Sequence, residues 1–114
     1  MFRRIEVYNE DMRSWHGCDA MWVNWECSEA GALAPGEIMQ AAGLRLPGHG
    51  MTHKVFFWFT EAGWRKVGKK IIRSLRTADV PFRVKKVKEN EVSVSYRDKL
   101  QVAGQRKYRR KRRR

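Results

Sequence analysis

Residues 55–77 decide most of what this chain can fold into. Val55–Phe59 reads VFFWF, with no polar position and only aromatic and β-branched side chains. Such a run is a buried strand. Thr60 follows as an N-cap, and Glu61 falls in a first helical turn, where a negative charge suits the helix dipole. A helix is predicted over residues 61–77. Counting about 100° per residue, Val67, Ile71, Trp64, Leu75 and Gly68 share one arc, with Ile72 beside it. Arg65, Lys66, Lys69, Lys70, Arg73 and Arg76 occupy the roughly opposite arc. Packing the apolar stripe on a sheet turns the basic face to solvent. Gly68 inside the stripe implies close approach of a neighbouring element, at a propensity cost of about 1 kcal/mol.

The flanking segments supply the sheet. Residues 2–8, FRRIEVY, read as a strand with Ile5 and Val7 on one face. NEDMRSWHGCD is a polar loop. AMWVNWEC, residues 20–27, reads as a second strand, with Met21, Val23 and Trp25 on one face and Trp22, Asn24 and Glu26 on the other. A Gly/Ala/Pro-rich linker leads to a short helix near 35–42, with Pro35 at its first position and Gly43 at its end. Ile38, Met39 and Ala42 form its apolar face. LRLPGHGMTH is irregular. Asp79 and Pro81 stop the long helix. A strand is predicted over 80–88, with a slip at Lys85-Lys86-Val87 that suggests a bulge. Val92, Val94 and Tyr96 alternate with serines as a half-exposed strand, and a short strand lies near Leu100–Val102.

The expected architecture is one small α+β domain, residues 1–104. A mixed β-sheet packs against one main amphipathic helix, with the short helix near 35–42 as a second. Residues 105–114 form a disordered Arg/Lys-rich tail. Strands 55–59 and 80–88 flank the long helix. They form either a parallel β-α-β unit with a right-handed crossover, or a mixed sheet with the helix lying over it.

Charge narrows the function. The chain has 25 Lys and Arg against 12 Asp and Glu, a net charge of +13, and eight of the cations lie in the last ten residues, QRKYRRKRRR. Residues 1–53 hold four basic and seven acidic residues, whereas residues 54–104 hold 13 and five. An anionic partner therefore approaches the C-terminal half first. A polyanion would relieve the tail's self-repulsion and release its own counterions. A targeting role, a solubilising role and an anionic membrane are the alternatives. No apolar helix or lipidation signal accompanies the tail. MFRRIEVYNEDMRSW lacks the apolar core of a signal peptide, and VFFWF is too short to cross a bilayer. No transmembrane segment is expected. The expected location is the cytoplasm or nucleoid, or the nucleus in a eukaryote.

The favoured reading is a nonenzymatic nucleic-acid-binding protein. Its phosphate contacts are assigned to Arg65, Lys66, Lys69, Lys70, Arg73 and Arg76 on the helix, with Lys85, Lys86 and Lys88 extending that surface. Arg106, Lys107, Arg109, Arg110, Lys111, Arg112, Arg113 and Arg114 provide the tail contacts. Such contacts give affinity rather than base specificity. RNA and DNA are not distinguished, since no zinc-finger, RNP-like or helix-turn-helix pattern is present. Of the aromatic residues, Trp58 and Trp64 read as core. Trp15 is the candidate for an exposed ring that stacks on a base, and Tyr108 is another within the tail.

Two alternatives come from other classes. A small RNA- or DNA-processing enzyme would use His16, Arg45, His49 and His53, which supply acid-base and anion-binding groups. An assembly or inhibitor protein would use 20–27 as an interface with a protein partner. Cys18 and Cys27 are too few for a disulfide framework and read as buried thiols. Together with His16, His49 and His53 they match no strong zinc spacing, so neither metal nor cofactor is expected.

Overall fold

The computed structural model describes residues 1–45 and 56–107. Strand β1 (Phe2–Asn9) is the centre of the sheet. Residues 10–13 turn the chain into β2 (Ser14–Gly17). Asn9 Oδ1 accepts the Met12 N–H at 2.9 Å, and Arg13 adopts φ 52°. The segment expected as a loop therefore carries the second strand of a hairpin, in register from Glu6↔Gly17 to Asn9↔Ser14.

Residues 20–27 are not a strand. They belong to helix α1 (Met21–Glu29). Val23 and Cys27, four residues apart, are its buried positions, whereas Met21 and Trp25 are 77% and 69% exposed. The helix ends in a Schellman motif: the Gly31 N–H bonds to Ser28 O and the Ala32 N–H to Cys27 O, with Gly31 at φ 73°. Helix α2 (Pro35–Ala41) ends the same way, with Gly43 at φ 87° and Leu44 N–H on Met39 O. Ile38 and Met39 are buried, as their spacing requires.

Strand β3 (Phe56–Phe59) leads through Thr60 into the long helix α3 (residues 61–77). Its segments are Glu61–Gly63, a π-helical turn at Trp64–Gly68, and Lys69–Thr77. Thr60 Oγ1 accepts the Gly63 N–H at 3.1 Å, so the N-cap forms as expected. The Trp64 ring lies against Gly68, where a Cβ would come within 2.8 Å of it. The close approach expected of a neighbouring element at Gly68 is made instead by a side chain of the same helix. Val67, Ile71 and Leu75 are buried. Asp79 at φ 56° closes the helix, with Val80 N–H on Leu75 O at 2.9 Å.

Strand β4 (Phe82–Val87) pairs along β1 from Phe2↔Val87 to Val7↔Phe82 without a break. The expected bulge at residues 85–87 is absent. Phe82 and Val84 pack on the helices, whereas Val87 faces a second core on the other side of the sheet. The apparent slip is a change of buried face. A short 3₁₀ turn (Glu89–Glu91) leads to β5 (Val92–Arg97) and then β6 (Gln101–Arg106). The bulge lies in β5, between Val94 and Tyr96. Gly104 sits where a Cβ would collide with Ser93 O, so only glycine allows that approach. The first residues of the expected tail, 105–107, are ordered. Gln105 and Arg106 are part of β6, and the Lys107 N–H bonds to Glu91 O at 2.7 Å. The rest of the tail expectation, residues 108–114, lies outside the described residues.

Every strand pairing among the described residues is antiparallel. β3 and β4 do run in the same direction, but they flank β1, which is antiparallel to both. Helix α3 therefore crosses over β1 in a split β-α-β unit. The main core lies between the sheet and the helices: Ile5, Val7, Phe57, Phe59, Val67, Ile71 and Leu75 meet Val23, Cys27 and Met39. A smaller core of Phe2, Trp58, Val87, Val92 and Val102 draws on five strands and fills the inside of the curled sheet. This explains why Phe57, Trp58 and Phe59 are all apolar, since Phe57 and Phe59 enter one core and Trp58 the other. Phe56 is exposed, against the expectation of a wholly buried run, and Val55 lies outside the described residues.

Candidate nucleic-acid interface

Helix α3 fixes six cations on one side of a rigid element. Arg65, Lys66, Lys69, Lys70, Arg73 and Arg76 are all exposed. The amphipathic division survives the π-helical turn because the buried stripe stays anchored by Val67, Ile71 and Leu75. Among the described residues none of the six forms an ion pair. The helix's own carboxylate, Glu61, is taken by Arg3 at 2.7 Å. That hydrogen bond holds Glu61 below the usual carboxylate range.

The opposite face of the sheet carries a different arrangement. Arg4, Glu6 and Tyr8 alternate along β1. Their register partners are Lys85, Arg83 and Trp15. Glu6 is 8% exposed. It accepts from Arg4 Nε at 2.9 Å and from Arg83 Nε at 2.9 Å, and Lys85 Nζ lies 3.9 Å away. Burial alone would raise the Glu6 pKa, but the two guanidinium hydrogen bonds and the nearby charges outweigh it and hold the carboxyl below its ordinary value. Arg4 also donates to Phe57 O at 3.1 Å and lies 4.8 Å over the Phe56 ring. Arg83 lies 4.0 Å over Trp15, whose ring is 5.2 Å from Tyr8.

This cluster corrects one assignment. Lys85 shares a face with Arg4 and Glu6, away from α3, so it does not extend the helix surface. Lys86 points to the helix side of the edge strand β4, and Lys88 follows the strand; both are exposed. Arg106 reaches Glu91 at 4.0 Å, and Lys107 follows it. Arg109, Arg110, Lys111, Arg112, Arg113 and Arg114 lie outside the described residues.

The residues of the enzymatic alternative are not brought together where they can be followed. His16 is on β2, with its Nε2 2.7 Å from Ser14 Oγ. Arg45 lies 6.0 Å over Tyr96 on β5. β2 and β5 are the two ends of the strand path β2-β1-β3-β6-β5. His49 and His53 lie outside the described residues. Cys18 and Cys27 are both in the main core, and burial pushes both thiols up in pKa. They are poor nucleophiles and poor metal ligands there. Among the described residues no group of three His, Cys, Asp or Glu side chains is placed to hold a metal.

A cavity of about 300 Å³ opens between the β1–β2 turn, α1 and the end of α3. Glu10, Asp11, Glu26 and Asp79 line it with Trp22. Tyr8 lines it as well, and the four carboxylates disfavour a phosphate inside the cavity itself. Among the described residues no helix is long and apolar enough to cross a membrane.

The sheet-face cluster is not evident from sequence, although a signal for it exists. Arg4, Glu6 and Tyr8 are spaced by two, as are Arg83 and Lys85. Only the β1–β4 and β1–β2 registers put them on one face. Comparison of the chain with protein-family models, curated proteins and solved structures finds no match.

Proposed function

We propose that this protein is a nonenzymatic nucleic-acid-binding protein that holds the phosphate backbone on the outward face of α3, with basic C-terminal residues adding long-range attraction. One observation carries the reading. Several cations elsewhere in the described structure have carboxylate partners, as in Arg3–Glu61, Arg83–Glu6, Arg97–Glu89 and Arg106–Glu91. The six on α3 have none among the described residues. Uncompensated charge fixed on one rigid face favours a polyanion.

The test is duplex affinity across a salt series. Replacing Lys66, Lys69, Lys70 and Arg73 by Gln lowers the salt slope by roughly 0.9 for each phosphate no longer neutralised, or up to about 3–4 in all. A chain ending at Lys107 separates the tail's share. A helix variant with the parent's affinity and slope would remove α3 from the interface.

An assembly role is the second reading. Met21 and Trp25 stand exposed one turn apart on α1. Sedimentation of the nuclease-treated protein as a strict monomer, with nucleic-acid binding intact, would count against it.

A further inference from the structure

The sheet face opposite α3 carries exposed aromatic rings among cations, an arrangement that phosphate contacts alone do not require. We propose that this face is a second binding surface, on which an unpaired base of a single-stranded nucleic acid stacks beside Trp15. The inference rests on the nucleic-acid reading above but uses a different face and names a narrower partner.

Trp15 is 37% exposed although its backbone is hydrogen-bonded into the sheet. β2 pairs with β1 at four successive positions, and Tyr8 packs against the ring at 60°. A large ring fixed on a strand and left open to solvent has little entropy left to lose on stacking. Arg83 lies 4.0 Å over that ring, and its own position is set by Nε and Nη2 contacts to Glu6 at 2.9 and 2.8 Å. The guanidinium covers one face of the indole and offers its own outer side, with positive charge, as a stacking surface next to the indole's remaining exposed part.

The same device recurs next to it. Phe56 is 40% exposed, and the Arg4 guanidinium lies 4.8 Å over it. Phe56 alternates with the core residue Phe57, so it faces the Arg4 side of the sheet. The two ring–guanidinium pairs are tied together through Glu6, with Glu6 and Arg4 buried and Trp15, Arg83 and Phe56 reaching solvent. Three cations, Arg4, Arg83 and Lys85, gather around Glu6, and the Asp19 carboxyl also lies near Arg4, so the face keeps a small positive excess. Lys85 is partly exposed and adds a further cation two residues along β4 from Arg83, on the same face.

This chemistry selects a single strand. The faces of paired bases are covered by their neighbours in a duplex, whereas an unpaired base presents its π-face to a ring. Stacking is tolerant of base identity and of the sugar, so RNA and DNA single strands share it.

The experiment uses the full chain with a labelled oligouridine, an oligodeoxythymidine and a duplex of mixed sequence. Each is titrated against the parent, Trp15→Ala and Trp15→Phe. Trp15→Ala weakens both single strands by roughly 5- to 150-fold, as expected for the loss of one stacked base. It leaves the duplex within about twofold. Trp15→Phe keeps most of the single-strand affinity. Equal single-strand affinities for parent and Trp15→Ala overturn the proposal and leave the helix reading standing. A parent that binds none of the three sinks both. If Trp15→Ala does not fold, the Trp15 indole N–H resonance of the parent decides: a shift with oligouridine and none with duplex supports the site, and no shift with either overturns it.

Discussion

Glu6→Gln is the sharpest test of how the sheet face is built. Glu6 divides its two oxygens between two guanidiniums: Oε2 takes Arg4 Nε at 2.9 Å, and Oε1 takes Arg83 Nε and Nη2 at 2.9 and 2.8 Å. Glutamine keeps one acceptor and turns an NH₂ group toward the other guanidinium. If the acceptor stays on Arg83, the buried Arg4 Nε faces a donor. A hydrogen bond to a charged group is worth about 1.5–3 kcal/mol, and breaking a buried pair costs about 3–5 kcal/mol. Arg83 is partly exposed and recovers water, and Arg4 retains Phe57 O, which reduces the loss. The expected cost is about 2–3 kcal/mol. The assay is urea unfolding at neutral pH, read as a lower midpoint with an unchanged slope. The pH dependence has a fixed sign. The Glu6 pKa is depressed in the folded protein, so its stabilisation is present above the unfolded-state value and is lost as pH falls through the folded value. The gap between parent and variant therefore closes in acid, below the usual carboxylate range. A cost under about 0.5 kcal/mol, or a gap that widens in acid, would refute this account of Glu6.

Two further substitutions probe the joints of α3. In Gly63→Ala the new Cβ collides with Leu100 O, a backbone atom. The start of α3 must then move off the β5–β6 turn, straining the Thr60 N–H bond to Leu100 O and the Thr60 Oγ1 bond to Lys99 O. Overpacking and two weakened bonds outweigh the roughly 1 kcal/mol helix-propensity gain, for a net loss of about 2–4 kcal/mol in urea unfolding. A variant as stable as the parent would mean that this approach is not tight. Asp79→Gly acts the other way. Asp79 holds φ 56° and sets an anion at the negative end of the helix. Glycine removes both penalties at some cost in chain entropy, so thermal unfolding moves up by the equivalent of about 0.5–1 kcal/mol. A lower melting temperature would show that the Asp79 side chain contributes more than its backbone costs.

The parts legible from sequence are those whose signal is local and one-sided. Helix α3 has a cap, an apolar stripe and a basic arc that all agree, and α2 has Pro35 at its start and Gly43 past its end. α1 mimics a strand because Met21, Val23 and Trp25 fit a period of two, while only Val23 and Cys27 are buried. Its true end signal, Gly31, sits in a Gly/Ala-rich stretch that resembles a linker. β4 is legible as a strand but not in its faces, because the curled sheet has a core on each side. Phe82 and Val84 serve one core and Val87 the other. The six helix cations follow from periodicity alone. The sheet-face cluster does not: it joins residues 77 positions apart through Arg83 and Glu6, and only register places them together.

The location of the charge excess follows from where the acids go. Residues 54–104 contain five acidic side chains: Glu61, Asp79, Glu89, Glu91 and Asp98. Glu61 is committed to Arg3, on β1. Glu89 takes the N-terminal amine and Arg97, and Glu91 takes the Lys88 N–H and Arg106. Asp98 is held within its own turn by Tyr96 Oη and the N–H groups of Leu100 and Gln101. Asp79 closes the helix beside the acidic cavity. Four of the five thus serve strands and turns, and the fifth borders a cavity that already repels anions. None is left to neutralise the solvent face of α3. The segment's acids are thus taken up by structural tasks, and six of its 13 cations stand exposed on the one long helix with no carboxylate partner among the described residues.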